Sequence, residues 1–197
     1  SALRRRSGEK WAGFPADVLP AWVADMDFPV CPAVRELLDE RVAVSDFGYP
    51  SDRALQSVRD RFAARASERF GWNVEPRRVE LLTDVVQGLY VALLTCSEPG
   101  AAAVVQTPIY PPFLHAVPEC RRRLVLNPLQ WNGTAYAIDF DGLGAAIDAG
   151  TRLLLFCNPQ NPTGRAFSRT ELEALAEIVL ERDLVVCSDE IHADLVY

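Results

Sequence analysis

Two short apolar runs joined by one capped helix restrict the folds open to this chain more than any other stretch does. The first, Leu153-Leu154-Leu155-Phe156-Cys157, is apolar on both faces and stops at Asn158-Pro159-Gln160-Asn161-Pro162-Thr163-Gly164. It reads as a buried parallel strand rather than a helix. Ser168 with Glu171 three residues on forms a capping box, and Leu172, Leu175, Ile178 and Val179 follow at helical spacing. Leu184 to Cys187 is a second buried strand and leads into Ser188-Asp189-Glu190-Ile191-His192. A strand, a crossover helix and a parallel strand make a right-handed unit that puts both strand ends on one edge of the sheet. Asn161 and Asp189 are therefore expected close together at the C-terminal edge, where open α/β sheets bind ligands.

An aspartate at the end of such a strand is costly to bury without a positive partner, and no basic residue is local enough to serve Asp189. A cationic cofactor ring would serve. Asn161 can offer an amide donor, and His192 a ring nitrogen, to a neighbouring oxygen. One carboxylate facing a pyridinium, with two polar groups facing a phenolic oxygen, is what pyridoxal 5'-phosphate (PLP) requires, because its protonated ring is an electron sink.

These residues carry a resemblance. Asn-Pro-Gln-Asn-Pro-Thr-Gly followed by Ser-Asp-Glu-Ile-His resembles the class I/II aminotransferase superfamily, and within it the MalY/PatB-type cystathionine β-lyase (carbon-sulfur lyase) branch. Trp22-Val23-Ala24-Asp25-Met26-Asp27-Phe28, Phe47-Gly48-Tyr49-Pro50 and Gln106-Thr107-Pro108-Ile109-Tyr110-Pro111-Pro112-Phe113 agree with it, in order, over nearly the whole chain. The resemblance implies an α/β fold, a three-layer large domain of fold type I with a mostly parallel sheet, incomplete at its C-terminus. Residues 1–50 would then be an N-terminal arm with part of a small domain, and residues 51–197 the PLP-binding large domain.

Along the chain, residues 1–32 lack a sustained period and read as an extended arm, with Arg4-Arg5-Arg6 solvated. Trp22 to Phe28 is either a docking segment that buries its aromatics or, as the resemblance implies, backbone near Ala24 that meets the substrate carboxylate. A helix from Pro32 runs through Val34, Leu37, Leu38 and Val42. Tyr49, between Gly48 and Pro50, is by itself a surface turn residue; the resemblance has it reach the cofactor phosphate of the neighbouring subunit and so implies a homodimer. Leu55 to Phe70 is an amphipathic helix ended by Gly71, its arginines on a solvated face.

Arg77 to Leu82 reads as a strand leading into Thr83-Asp84-Val85-Val86-Gln87-Gly88, with helical spacing after Gly88. A strand, a turn and a helix N-terminus form a ready anion site. The resemblance puts the PLP phosphate on the backbone amides of Val85 and Val86. Family members usually carry Gly before these valines and often Pro after them, where this chain has Asp84 and Gln87, so an Asp84 side chain directed at the phosphate would repel it. Ala101 to Gln106 is a further buried strand, and Tyr110 beyond it is either a core aromatic or, as the resemblance favours, the residue that stacks on the cofactor ring. Arg121 to Leu126 reads as a strand whose Arg121-Arg122-Arg123 is surface charge, Trp131 to Ile138 as a polar excursion, and Phe140 to Ile147 as a short helix.

A net charge of −7 argues against a nucleic-acid surface. No apolar run is long enough to span a bilayer and no signal-peptide pattern is visible, which favours the cytoplasm. The five cysteines form no CxxC pair and read as reduced core thiols, and with only His115 and His192 a metal site is disfavoured.

The single lysine, Lys10, lies in the arm. The Schiff-base lysine that the resemblance calls for is expected beyond Tyr197, together with the arginine that grips the substrate carboxylate, so no catalytic residue is assigned within this chain. The first expectation is a PLP-dependent α,β-elimination on a cysteine S-conjugate or cystathionine-like amino acid. The alternatives are an aminotransferase or other PLP reaction in a specialised pathway, and a non-catalytic fragment or partner subunit.

Overall fold

The computed structural model describes residues 2–196, and contacts within the chain divide it into two compact units after Pro76. The first unit holds α1 (Glu9–Ala12), α2 (Pro32–Ala43) and α3 (Asp52–Phe70). The second holds α4 (Val85–Cys96), β1 (Ala102–Thr107), α5 (Pro112–Glu119), β2 (Arg123–Pro128), β3 (Gln130–Trp131), β4 (Tyr136–Ala137), α6 (Phe140–Ala146), β5 (Thr151–Cys157), α7 (Arg169–Glu181) and β6 (Val185–Asp189).

In the first unit the arm is not simply extended. The one-turn α1 presents Lys10 and Trp11 to a single carboxylate: Lys10 Nζ lies 2.9 Å from Asp27 Oδ2, and Trp11 Nε1 donates to Asp27 Oδ1 at 2.7 Å. Both bonds, with the Arg6 charge nearby, hold the Asp27 carboxyl below its ordinary value. Arg6 also donates to the Met26 carbonyl at 2.8 Å, and Arg4 donates to the Val18 carbonyl while lying over the Trp11 ring. The expected solvated arginines thus staple the arm, and Asp27 owes its place between Trp and Phe to that staple. Pro32 starts α2, none of whose residues is buried. Ser51 caps α3, and Gly71 ends it at φ 66°, a left-handed conformation that glycine adopts without a Cβ clash.

The second unit is built on a four-stranded parallel sheet in the order β2-β1-β5-β6. Alternation along the strands divides the core. Ala103, Val105, Leu153 and Leu155 pack with Leu89 and Leu93 of α4 and Phe113 and Val117 of α5. Val104, Leu154 and Phe156 pack with Leu143 of α6 and Leu175 of α7. Three layers result, because each central strand is apolar on both faces and must be covered twice. Each fully buried Leu, Val or Phe here stabilises the fold by about 1.5–3 kcal/mol relative to exposure.

Several local expectations are corrected. Arg77 to Leu82 is not a strand: a 3-10 turn covers Pro76–Arg78 and irregular chain follows. Among the described residues no strand lies alongside it, and an unaccompanied strand leaves its backbone groups unpaired. The helix expected after Gly88 starts at Val85. Pro112 opens α5 at a position where a missing N–H costs nothing. Within the expected polar excursion β3 and β4 pair as a small antiparallel hairpin. Arg122 is not surface charge: it is 7% exposed and donates to the Ser97 hydroxyl at 3.0 Å and to the Ser97 and Cys120 carbonyls.

Candidate active site

The C-terminal ends of β5 and β6 lie side by side, with Cys157 in register with Asp189. Past that pair the Asn158 amide donates to the Asp189 carbonyl at 3.0 Å, and the Asn158 side chain accepts from the Phe167 amide at 3.0 Å. The turn 158–164 is thereby fixed to both β6 and the entry of α7.

Gln160, which sequence reasoning passed over, is the centre of that turn. It is 3% exposed; its Nε2 donates to the Pro108 carbonyl at 2.5 Å and its Oε1 accepts from the Thr163 amide at 2.9 Å. Its own backbone closes on Arg165 and Gly164, the latter at φ 70°. The loop after β5 is thus clamped to the loop after β1, which carries Tyr110. The only available signal was that Gln160 is the longest side chain in a turn of small and cyclic residues.

At the helix side of the sheet, Asp84 is the N-cap of α4. Its Oδ1 accepts from the Gln87 amide at 2.8 Å. Gln87 Oε1 in turn accepts from the Thr83 amide at 3.0 Å and the Thr83 hydroxyl at 2.8 Å. The amides of Val85 and Val86, first in the helix, have no acceptor among the described residues.

Between this helix start and the end of β6 lies an open cleft of about 410 Å³, in the size range of small-molecule sites. Asp84, Val85 and Gly88 line one side, and Cys187, Ser188 and Asp189 the other. Asp189 is 8% exposed; its Oδ1 accepts from the Ile191 amide at 3.0 Å, and no cationic side chain pairs with it among the described residues. Burial pushes the thiols of Cys157 and Cys187 upward and the Asp189 charge adds to it, so neither is a thiolate nucleophile at neutral pH.

Asn161, His192 and Tyr110 follow the C-terminal ends of β5, β6 and β1 without lining this cleft. Asn161 and His192 are half-buried, and Tyr110 is 44% exposed. None of the three uses its side chain in a hydrogen bond among the described residues. Thr163, in the turn with Asn161, buries a hydroxyl that has no partner. Ala24 and Tyr49 belong to the first unit, where Ala24 is exposed and the Tyr49 ring fully so. No group of three or more His, Cys, Asp or Glu among the described residues could hold a metal ion, and no helix there is long and apolar enough to cross a membrane.

PLP fits these residues on the geometry itself. A buried carboxylate without a cation faces the cleft, unpaired helix amides lie at its other side, and polar side chains with open hydrogen-bonding capacity surround the strand ends.

Comparison with known proteins agrees. The family model described as aminotransferase class I and II matches residues 23–197. The chain is 42% identical to cystathionine beta-lyase PatB of Bacillus subtilis over 91% of its own length and 46% of that protein. It is 36% identical to the cystathionine beta-lyase of Corynebacterium glutamicum, over 99% of this chain and 51% of that one. The PLP-bound C-S lyase from Staphylococcus hominis superposes with a TM-score of 0.87 at 30% identity, covering 97% of this chain and 49% of the other. The chain spans about half the length of the curated relatives it matches.

Proposed function

The chain belongs to the aminotransferase class I and II family, and from that premise we propose that it is the cofactor-binding part of a PLP-dependent carbon-sulfur β-lyase. The reaction would be an α,β-elimination on a cysteine S-conjugate or cystathionine-like amino acid, with a thiol, pyruvate and ammonia as products. The names of the relatives support the lyase assignment, and the observation that carries the site is Asp189: a carboxylate 8% exposed, anchored by one backbone amide, beside a cleft that offers it no cation.

When bound, PLP supplies an electron sink for the pair left at the substrate Cα. Asp189 would hold the proton on the ring nitrogen. The amides of Val85 and Val86 would hold the phosphate, the Tyr110 ring would cover one face of the cofactor, and Asn161 and His192 would orient its phenolic oxygen. Backbone near Ala24 would meet the substrate carboxylate. Tyr49 would reach the phosphate of a neighbouring subunit, so the working form would be a homodimer, and we place it in the cytoplasm as a separate part of the proposal.

Lys10, the single lysine in the sequence, is committed to Asp27 and to the Asp25 carbonyl at 2.7 Å. That pairing supports the reading in which Lys10 is not the Schiff-base lysine.

The test uses the protein expressed from its whole reading frame. Incubated with PLP and cystathionine or another cysteine S-conjugate, it should release thiol and pyruvate in equal amounts without an added keto acid. Amino transfer that needs a keto acid and frees no thiol would replace the lyase reading with the aminotransferase one. Failure to bind PLP would overturn both.

A further inference from the structure

Asp84 and Gln87, which flank the two amides that open α4, are bonded to each other. Asp84 Oδ1 accepts from the Gln87 amide at 2.8 Å, and the Gln87 side chain returns to the amide and hydroxyl of Thr83 at 3.0 and 2.8 Å. The two residues are therefore one device. Asp84 closes the third amide of α4, Thr83 saturates the Gln87 oxygen, and only the amides of Val85 and Val86 are left open.

The charge of the cleft makes the device consequential. Its ionisable lining groups are Glu80 and Asp84 on the chain that enters α4, and Cys187 and Asp189 on β6; no lysine, arginine or histidine lines it. The Cys187 thiol is pushed upward by burial and stays neutral, and the first turn of α4 holds no acidic residue of its own. An anion that reaches the open amides therefore arrives beside the Asp84 carboxylate with no side-chain cation in the lining to offset it.

We propose that Asp84 is a positioning residue for the cofactor phosphate, with two separable effects. As a cap it holds the first turn of α4 formed before the cofactor arrives, presenting two amides and withholding the third. As a charge it opposes the phosphate, so the phosphate group adds less to cofactor affinity than the same loop would give with a neutral cap. The inference rests on the PLP reading above.

The test compares wild type with Asp84→Asn and Asp84→Ser, both uncharged caps, and Asp84→Gly, which removes cap and charge together. Each is expressed from the whole reading frame and titrated with PLP and with pyridoxal, which lacks the phosphate. Asp84→Asn and Asp84→Ser should each tighten PLP binding by about tenfold while leaving pyridoxal affinity unchanged, since only a phosphate meets the lost charge. The gain should shrink below about pH 6, where a phosphate monoester dianion takes up a proton and becomes a monoanion. Hydrogen exchange at the Gln87 amide should speed up in Asp84→Gly and stay slow in Asp84→Asn. Equal changes for PLP and pyridoxal, or weaker PLP binding in both neutral caps, would overturn the proposal while leaving the cofactor reading intact. A wild-type protein that binds neither compound would sink the cofactor reading itself.

Discussion

The backbone amide of Asn158 donates to the carbonyl of Asp189 at 3.0 Å, so the turn after β5 is tied directly to the acid that ends β6. Parallel pairing carries the two strands to the same edge, and this bond extends their ladder by one residue past Cys157 and Asp189. The side chains of the turn and the Asp189 carboxylate are thereby held in fixed register without a helix or loop between them.

Asp189→Asn keeps an acceptor for the Ile191 amide but cannot hold a pyridinium proton. In the whole-frame protein the variant should still bind PLP and lose at least about a hundredfold in kcat for cystathionine cleavage, the usual scale for removing one aligned charge from a reacting site. Cofactor absorbance together with kcat checks this; a variant of near wild-type turnover would contradict the role given to Asp189.

Gln160→Ala should destabilise the fold by about 1–3 kcal/mol, because it strands a buried Pro108 carbonyl and the Thr163 amide. Gln160→Glu should cost as much or more, since it keeps the acceptor for Thr163 but sets a carboxylate against a carbonyl. Urea denaturation of both variants measures the effect, and a loss within about 0.5 kcal/mol of zero would show that the clamp is dispensable.

Glu171 couples the α7 cap to pH. Burial pushes its carboxyl upward, but bonds from the Ser168 amide, the Arg165 guanidinium and the Ser168 hydroxyl outweigh burial and hold it below its ordinary value. With the folded-state value depressed, the stabilisation is fully present above the unfolded carboxyl value of about 4.3 and drains away as pH falls through the folded one. Glu171→Gln should therefore flatten the acid limb of a plot of urea midpoint against pH, while Ser168→Ala lowers stability by about 0.5–2 kcal/mol at neutral pH.

Thiol labelling should divide the five cysteines. Cys31 and Cys96 are exposed, whereas burial pushes the thiols of Cys120, Cys157 and Cys187 upward. In the native protein at neutral pH, iodoacetamide should modify Cys31 and Cys96 first and the partly exposed Cys187 more slowly, and Cys120 and Cys157 should react freely only after denaturation. Mass spectrometry of a timed digest reads the order, and early labelling of Cys120 or Cys157 would contradict their burial.

What could be read in advance follows the range of the interaction. The capping box of Ser168 and Glu171 and the stop at Gly71 involve residues within one turn, so their chemistry is written in adjacent letters. The buried strands β1 and β5 were legible for the same reason, since a strand covered on both faces is apolar at every step. Residues 77–82 have the composition of a strand yet form none, because a ladder needs a neighbour and composition does not supply one. Arg122 looked like surface charge because nothing local shows that Ser97, far back in the sequence, would receive its guanidinium.

The sequence by itself determined the parallel unit of β5, α7 and β6 and the placement of Asp189 and Asn161 at one sheet edge, since periodicity, local capping and crossover handedness suffice for those. Only the tertiary structure decided that Gln160 clamps two loops, that Lys10 is spent on Asp27, and that Asp84 turns its carboxylate to the Gln87 amide. A buried hydrogen bond depends on which groups meet after the chain has closed on itself, and residue order constrains that meeting only through the whole fold.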